Sequence, residues 1–506
     1  MSATATPEEP RPDRTTFGVE LEFLVPWLLE EEDDPLGEVD GLAPLFRVKI
    51  TDFATGPGRV VRQTLAKLFQ DHGLNTISVR TYQYKTDYAK RALHDFSKWT
   101  FKGDGSLREH DRSTAWFKKY QWVDVEIGSP VEPTTPIAYE ILNYARQLLT
   151  STYRCRVNDS CGLHVHVGKG FEPFDLVNMR RISALVWSSE HLFVNLNHPS
   201  RQSNFQTPTL RTRTVMAVEK YRDRHAEKRS EYELEACLDY LAREVRHGER
   251  LISFRAENSN EEIWKAFVKT REDGHYEPFQ WKSPGGQSSE AFVPIDSNEK
   301  SIDEEIMDRA EKMAAELDFR YPTEIDQPCR IRTMPRMENV KQEVKWDRRF
   351  LESDEEVGED PGVFEGVRQL FDCPSSCDIA SLMYPRARGY VNFNLYDGDN
   401  IDRLDRHGTK RTIEFRGAEG TLDSWVVTWA KICVGIVRFA LYSPSDEFLR
   451  VLMKCDSSNK EVEKFDCIDF LDEIGLPAEA ALAEKHLKEN EVEFGIQYVD
   501  ESSEEK

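Results

Sequence analysis

The sequence predicts an α+β protein in which a β-sheet has one apolar face and one ionisable face. Two observations lead to this expectation. Several short segments alternate apolar and charged residues with the period of two that is typical of a strand, and several longer segments repeat apolar residues at helical spacing. The two kinds of segment follow one another along the chain, so the apolar face of the sheet can pack against the helices.

Six segments have the pattern of strands. The clearest is FGVELEFLV, in which Phe17, Val19 and Leu21 point to one face while Glu20 and Glu22 point to the other. WVDVEIG and CGLHVHVG alternate in the same way. We predict strands at residues 17–25, 76–80, 122–130, 161–168, 390–396 and 411–417.

Helical segments separate these strands. Thr135 and Pro136 suit the N-cap and the first turn of one helix. The most apolar segment of the chain is interrupted by Lys431 and Arg438, and its apolar residues recur at helical spacing, so we expect a buried core helix there rather than a membrane span. We predict helices at residues 59–69, 136–149, 175–193 and 425–442.

The chain is expected to form one folded body interrupted by a long insertion. In the insertion the charge density rises, two helices are predicted at 232–245 and 303–317, and the rest is irregular. The predicted organisation is a disordered tail (1–14), the first part of the body (15–198), the charged, partly helical insertion (199–381), the second part of the body (382–498) and an acidic disordered tail (499–506).

Composition and charge exclude some classes of protein. The formal net charge of −24 argues against a general nucleic-acid binder, because phosphate contacts need clustered Lys and Arg. The first fifteen residues contain no apolar segment, so no secretory signal is expected, and nine irregularly spaced cysteines fit a reducing compartment. We therefore expect a cytoplasmic protein that binds neither nucleic acid nor a membrane, with its oligomeric state left open.

Four of the predicted strands carry two ionisable residues at positions i and i+2, which places both members of each pair on one face. For a single pair, a solvated strand face without function is the simpler interpretation. Together the pairs indicate a metal site, because neighbouring glutamates repel each other and carboxylate ligands favour Mg²⁺ or Mn²⁺. The pairs are Glu20/Glu22, Asp124/Glu126, His164/His166 and Glu414/Arg416.

An arginine among carboxylates points to phosphoryl transfer from ATP. In that chemistry metal ions neutralise phosphate oxygens, while arginine stabilises charge on the transferred group. The sequence contains neither a GxxxxGK[ST] loop nor a GxGxxG fingerprint, so P-loop and kinase-type nucleotide sites are unsupported. The cofactors that we expect are ATP and Mg²⁺ (or Mn²⁺), bound at another kind of site.

Six motifs, in order along the chain, resemble the amidoligase family, which belongs with the carboxylate–amine ligases typified by glutamine synthetase and glutamate–cysteine ligase. The similarity covers roughly residues 15–205 and 382–440. It implies a curved, mainly antiparallel sheet with helices on its outer face, as in the catalytic domain of glutamine synthetase. The motifs are FGVELEF, DGSL at 104–107, EIGSP at 126–130, SCGLHVHVG at 160–168, HPSRQSN at 198–204 and TIEFRGAEGTLD at 412–423.

The resemblance implies a set of metal ligands that consists of carboxylates and one imidazole. Asp104 could orient the amine substrate, although an ordinary Asp-Gly turn is the simpler explanation of that residue. Either histidine of the HVH motif could complete the metal sites. The implied ligands are Glu20, Glu22, Glu126, Glu414 and one of His164 and His166.

The resemblance also implies catalytic and phosphate-binding residues. His164 or His166 would lie near the ATP phosphates, and Arg416 would act with His166 in catalysis by holding the transferred phosphate or the substrate carboxylate. Arg201 and Arg388 are further phosphate candidates, although a solvent-exposed arginine explains Arg388 equally well.

The implied reaction is an ATP-dependent ligation. A small-molecule or peptide carboxylate attacks the γ-phosphate of ATP, and an amine then displaces phosphate from the acyl phosphate to form an amide. Two other interpretations remain open at this point. A metal-dependent hydrolase or phosphatase could use the same face without ATP, and a non-catalytic relative could have kept the fold as a binding scaffold.

Overall fold

The structure is a computed structural model of the chain. It describes residues 15–37, 39–51, 56–78, 96–110, 118–170, 173–201, 207–218, 330–338, 358–384, 389–396, 411–460 and 464–499. The predicted helices at 232–245 and 303–317 lie outside the described residues, and so does Arg388.

One large, open sheet lies at the centre of the described residues. Its nine strands are β1 (Thr16–Leu29), β2 (Phe46–Val48), β3 (Thr76–Ser78), β4 (Trp99–Lys102), β5 (Gln121–Gly128), β6 (Glu132–Pro133), β7 (Gly162–Gly168), β8 (Val391–Asn392) and β9 (Ile413–Glu419). The order is β3-β4-β5-β1-β7-β9-β8, with β2 and β6 paired to β1. The β1–β2 and β3–β4 pairs are parallel and the others antiparallel. The predicted α+β class, with a mostly antiparallel sheet, is confirmed.

All six predicted strands are present, but the one predicted at 390–396 is shorter. Its regular pairing ends at Asn392, and a 3₁₀ turn (Asn394–Tyr396) follows. The side chain of Asn392 accepts a hydrogen bond from the backbone N–H of Asn394 at 3.0 Å. This local turn competes with continued strand pairing, which the alternating sequence did not indicate.

Eleven α-helices are described, and the helices against the sheet cover its apolar face. Thr135 and Asp175 cap the predicted helices by accepting bonds from Ala138 and Asn178 N–H groups at 3.3 and 2.8 Å. The helices are α1 (Pro57–Asp71), α2 (Pro136–Thr152), α3 (Leu176–Phe193), α4 (Leu210–Arg213), α5 (Val363–Asp372), α6 (Ser376–Leu382), α7 (Trp425–Tyr442), α8 (Ser445–Asn459), α9 (Cys467–Glu473), α10 (Pro477–Glu489) and α11 (Glu491–Phe494).

Helices α1 and α7 pack directly on the sheet. The first covers β3, β4 and β5, and the second covers β1 and β7, while α3 lies behind α7 and contacts α5 and α8. The odd-numbered side chains of β1 from Phe17 to Trp27, including Val19 and Phe23, are buried in this layer. The apolar core therefore lies on one side of the sheet, and the ionisable side chains of the strands are directed to the other side.

Helix α7 passes a test for membrane spans that considers only length and apolar composition. However, 67% of this 18-residue stretch is buried inside the protein. Trp429, Cys433 and Ile436 are fully buried in the main core. A buried core helix passes the same test, so this helix is weak evidence for a span. The prediction of a core helix is confirmed.

Several described pieces of the segment 199–381 pack on the rest of the protein. Helices α5 and α6 both contact α3. Arg332 pairs with Asp466 at 2.5 Å and with Asp469 at 2.9 Å, and Met337 forms a β-bridge with Tyr498. These contacts hold residues 330–338 against the C-terminal helices.

Candidate active site

The four strands that carry ionisable pairs are consecutive in the sheet, in the order β5-β1-β7-β9. Glu22 lies opposite Glu126 across β1 and β5, and Glu20 lies opposite His164 across β1 and β7. His166 in turn lies opposite Glu414 of β9. Because directly opposed side chains in a sheet point to the same face, this register collects the pairs on the face away from the helices.

Glu20, His166 and Glu414 form the first of two clusters of possible metal ligands, since each offers a ligand atom within 4.8 Å of the others. We call this cluster of three residues the first carboxylate group, although one of its members is a histidine. Nδ1 of His166 is hydrogen-bonded to Oγ1 of Thr412 at 2.9 Å. Nε2 is buried without a hydrogen-bond partner among the described residues, 3.7 Å from Glu20 Oε1 and 3.9 Å from Glu414 Oε1. One ring nitrogen held by a polar neighbour and the other aimed at carboxylates is the arrangement of a metal-binding histidine.

Glu22, Asp104 and Glu126 form the second carboxylate group, again with ligand atoms within 4.8 Å of one another. The backbone N–H of Gly162 donates a 2.6 Å hydrogen bond to Oε2 of Glu22. The N–H of Ser106 donates to Oδ1 of Asp104 at 2.7 Å, so the turn after β4 orients this carboxylate. Three carboxylates without an intervening neutral ligand suit a hard divalent cation.

His164 and Lys102 lie between the two groups. Nδ1 of His164 is 3.1 Å from Glu20 Oε2, and its Nε2 is 3.7 Å from Glu22 Oε1. Nζ of Lys102 is 2.6 Å from Glu126 Oε1 and 3.7 Å from Glu20 Oε1. Lys102 therefore lies near one carboxylate of each group, whereas His164, whose Nδ1 is also 3.7 Å from Glu414 Oε1, lies near both carboxylates of the first group and one of the second.

Two buried arginines border the carboxylates. Arg416 pairs with Glu414, whose other oxygen accepts a 2.6 Å hydrogen bond from Asn392 Nδ2. Arg201 donates from Nη2 to the carbonyl of Arg416 at 3.1 Å. The Nε atoms of both arginines are buried without a hydrogen-bond partner among the described residues. A buried guanidinium with unused N–H capacity is suited to an anionic ligand.

The neighbours of Glu126 and of Glu20 shift the pKa values of these two side chains in opposite directions. Burial and the neighbouring Glu20 carboxylate raise the pKa of Glu126 well above its ordinary value, in spite of Lys102. Burial alone would also raise the pKa of Glu20, but the charge of Lys102, the hydrogen bond with His164 and the nearby imidazole of His166 hold it well below its ordinary value. A divalent cation among these carboxylates would relieve the repulsion that favours protonation of Glu126.

The face is open to solvent on one side of the carboxylates. The side chains of Glu20, His166 and Lys102 are each about a quarter exposed, at 25, 24 and 26%. Those of Glu22 and Glu126 are only 7 and 6% exposed. A ligand that enters from solvent therefore meets Glu20, His166 and Lys102 first, and Glu22 and Glu126 lie deeper.

Those predicted site residues that the structure describes lie together on the polar face of the sheet. The structure adds four residues that the sequence analysis had not assigned to the metal or phosphate site. Asp104 was considered as a residue that orients the amine, with an ordinary turn as the simpler explanation, while Lys102, Thr412 and Asn392 were not considered. The alternation of WTFK before the turn could have indicated that Lys102 and Asp104 share a face, but the segment is only four residues long. Asp124, by contrast, pairs with Arg62 of α1 at 3.5 Å.

Replacing Gly162 with alanine should weaken divalent-metal binding. An added Cβ would lie 2.9 Å from His164 Nε2, 3.0 Å from Arg201 Nη2 and 3.2 Å from Glu22 Oε2. All three side chains are buried, so the ligands would have to move, and we expect a loss of about tenfold in Mn²⁺ affinity by calorimetry. The matched control is Gly18→Ala in β1, where the nearest atoms are 3.8 Å from the added Cβ. Equal affinities for the two variants would contradict this picture of the site.

Comparison with known proteins gives one match. A family model described as "Putative amidoligase enzyme" matches residues 13–271, just over half of the chain. The match includes Glu20, Glu22, Asp104, Glu126 and both histidines of the site. No curated protein and no solved structure matches.

Proposed function

The chain belongs to the amidoligase enzyme family, and from this premise we propose that it is an ATP-dependent carboxylate–amine ligase. The observation that carries the proposal is the pair of carboxylate groups bordered by buried arginines on one open sheet face. Carboxylates that hold divalent cations, next to guanidinium groups that hold phosphate, are what phosphoryl transfer to a substrate carboxylate needs. A helix-covered, mostly antiparallel sheet with a polar face also supports a fold like the catalytic domain of glutamine synthetase.

Glu20, His166 and Glu414 would hold one Mg²⁺ or Mn²⁺ ion, and Glu22, Asp104 and Glu126 would hold another. These residues fit the ions because their oxygen-rich groups are crowded and Nε2 of His166 lacks a hydrogen-bond partner among the described residues. When bound, such ions neutralise the oxygens of the ATP phosphates. His164 contacts a carboxylate of each group, so its role is to keep the two groups in register.

Arg416 and Arg201 would bind the anionic groups of the reactants. Arg416 is fixed by Glu414, and Arg201 is fixed by the carbonyl of Arg416, so both guanidinium groups are oriented before a ligand arrives. Preorganised charge of this kind stabilises negative charge that develops in a transition state. Arg388 remains a further candidate for the phosphate.

The proposed reaction has two steps. A carboxylate oxygen of the substrate attacks the γ-phosphorus of ATP, the bond to the β,γ-bridging oxygen breaks, and ADP leaves. The neutral amine then attacks the acyl carbon, the bond to the phosphate oxygen breaks, and inorganic phosphate and a proton are released with the amide. The chain contributes positioning and charge neutralisation, with no covalent protein intermediate.

Isothermal titration with a nonhydrolysable ATP analogue and Mg²⁺ tests ATP use. We expect binding that requires the metal, and formation of ADP from ATP when pools of carboxylates and amines are supplied together. A protein that binds metal but no ATP analogue would contradict the ligase proposal and favour a metal-dependent hydrolase that uses the same carboxylate face.

A further inference from the structure

Lys102 lies at the centre of the carboxylate face, although the family resemblance assigns it no role. Its Nζ atom is 2.6 Å from Glu126 Oε1 and 3.7 Å from Glu20 Oε1. Glu20 belongs to the first carboxylate group and Glu126 to the second. One ammonium group therefore neutralises a candidate ligand of each proposed metal ion.

A divalent cation would compete with this ammonium group. Glu126 is one of the three carboxylates of the second group, and its Oε1 already accepts a hydrogen bond from the ammonium group of Lys102 at 2.6 Å. A metal ion held by Glu22, Asp104 and Glu126 would repel the nearby ammonium group, and the two cations would share the same carboxylate. Metal binding should therefore weaken the ion pair between Lys102 and Glu126, and this ion pair should weaken metal binding.

The geometry allows the ammonium group to move while the backbone stays in place. Lys102 is held in β4 directly opposite Glu126 of β5. Its side chain is 26% exposed, whereas that of Glu126 is 6% exposed, so the flexible lysine stem can turn toward solvent and the carboxylate cannot. The open side of the face, where Glu20 and His166 are also partly exposed, is where a bound phosphate would lie.

We propose that Lys102 is a tethered cation that exchanges with a divalent metal ion and then binds the phosphate of ATP. Before metal binds, Lys102 neutralises Glu20 and Glu126 and keeps the two carboxylate groups together. After metal binds, its ammonium group turns to the open side and contacts the polyphosphate. The phosphate contact rests on the proposed function, whereas the exchange with metal depends only on the carboxylate face.

Removing the charge of Lys102 should therefore change the affinities for the metal ion and for the ATP analogue in opposite directions. In Lys102→Met, Mn²⁺ should bind about tenfold more tightly than in the wild type, because a competing cation is gone. With saturating Mn²⁺, a nonhydrolysable ATP analogue should bind about tenfold more weakly, because a phosphate contact is lost. Lys102→Arg, which keeps the charge, should return both affinities toward wild type.

Both affinities are measured by isothermal titration on the full chain. The matched control is Lys67→Met on α1, which removes an exposed lysine whose partner is Asp71 and should change neither affinity. If Lys102→Met is unstable, the rise of its melting temperature with Mn²⁺ replaces the titration, and this rise should exceed that of the wild type.

The outcomes separate this inference from the proposed function. Mn²⁺ binding that is equal or weaker in Lys102→Met than in the wild type would overturn the exchange and leave the ligase proposal intact. Tighter Mn²⁺ binding with unchanged affinity for the ATP analogue would overturn the phosphate contact. If neither the wild type nor the variant binds Mn²⁺, the metal face itself is wrong, and the inference falls with it.

Discussion

The double variant Glu20→Gln, Glu22→Gln is expected to lose ligase turnover by at least about a thousandfold. Each substitution removes one negative charge from one of the two carboxylate groups while it preserves the size of the side chain. Glutamine is a poorer ligand than carboxylate for Mg²⁺ or Mn²⁺, so both metal sites should weaken together. Formation of ADP in the presence of pooled carboxylates and amines measures turnover, and Mn²⁺ calorimetry measures metal binding.

The matched control for this variant is Glu30→Gln, Glu31→Gln. These glutamates lie in the exposed turn directly after β1, and the change in net charge is the same. We expect wild-type turnover and wild-type metal affinity for the control. Turnover of the Glu20, Glu22 variant at the level of this control would reject the two residues as ligands.

Replacement of Arg416 with methionine is expected to have the second-largest effect, a fall in kcat of about a thousandfold. Arg416 as a whole residue is 8% exposed, its guanidinium group pairs with Glu414, and its buried Nε atom has no hydrogen-bond partner among the described residues. Arg416→Lys keeps the positive charge but loses the planar fork, so we expect it to recover only part of the rate. Steady-state kinetics with a substrate pair found in the pooled assay measures both variants.

A structural loss must be separated from a catalytic loss for Arg416, because its removal leaves Glu414 with one basic partner fewer. Circular dichroism and Mn²⁺ affinity provide that separation. An exposed arginine, Arg368 on α5, is 61% exposed in its side chain and supplies the control Arg368→Met. A kcat for Arg416→Met within about threefold of this control would contradict a role in the chemical step.

The period of two in the strands was enough to predict which residues share a face. Glu20 and Glu22 alternate with apolar residues in β1, and His164 and His166 do so in β7. Because the apolar residues between them are buried in the core, the ionisable side chains must point to the opposite face of the sheet. The same pattern predicts neither the order of the strands nor their register. That Glu22 lies opposite Glu126 depends on pairing between strands about a hundred residues apart in the chain.

Other features of the site depend on local irregularities that a periodic pattern does not contain. The pairing of β7 with β9 shifts register between Leu163 and Val165, so Glu419 lies opposite Gly162. Lys102 was missed, and Asp104 was considered only for orienting the amine and not as a metal ligand, because β4 is short and a turn separates the two residues. Arg201 was proposed only through the family resemblance, and its position over Gly162 follows from packing of a 3₁₀ turn.

Following ¹⁸O from the substrate carboxylate is the most direct test of the proposed ligase chemistry. The protein is supplied with ATP, Mg²⁺, amines and a pool of carboxylates labelled with ¹⁸O, and the released inorganic phosphate is analysed by mass spectrometry. An acyl-phosphate mechanism leaves one carboxylate oxygen on phosphorus, so we predict phosphate that carries one ¹⁸O atom. Phosphate whose added oxygen comes from water instead would contradict the ligase mechanism.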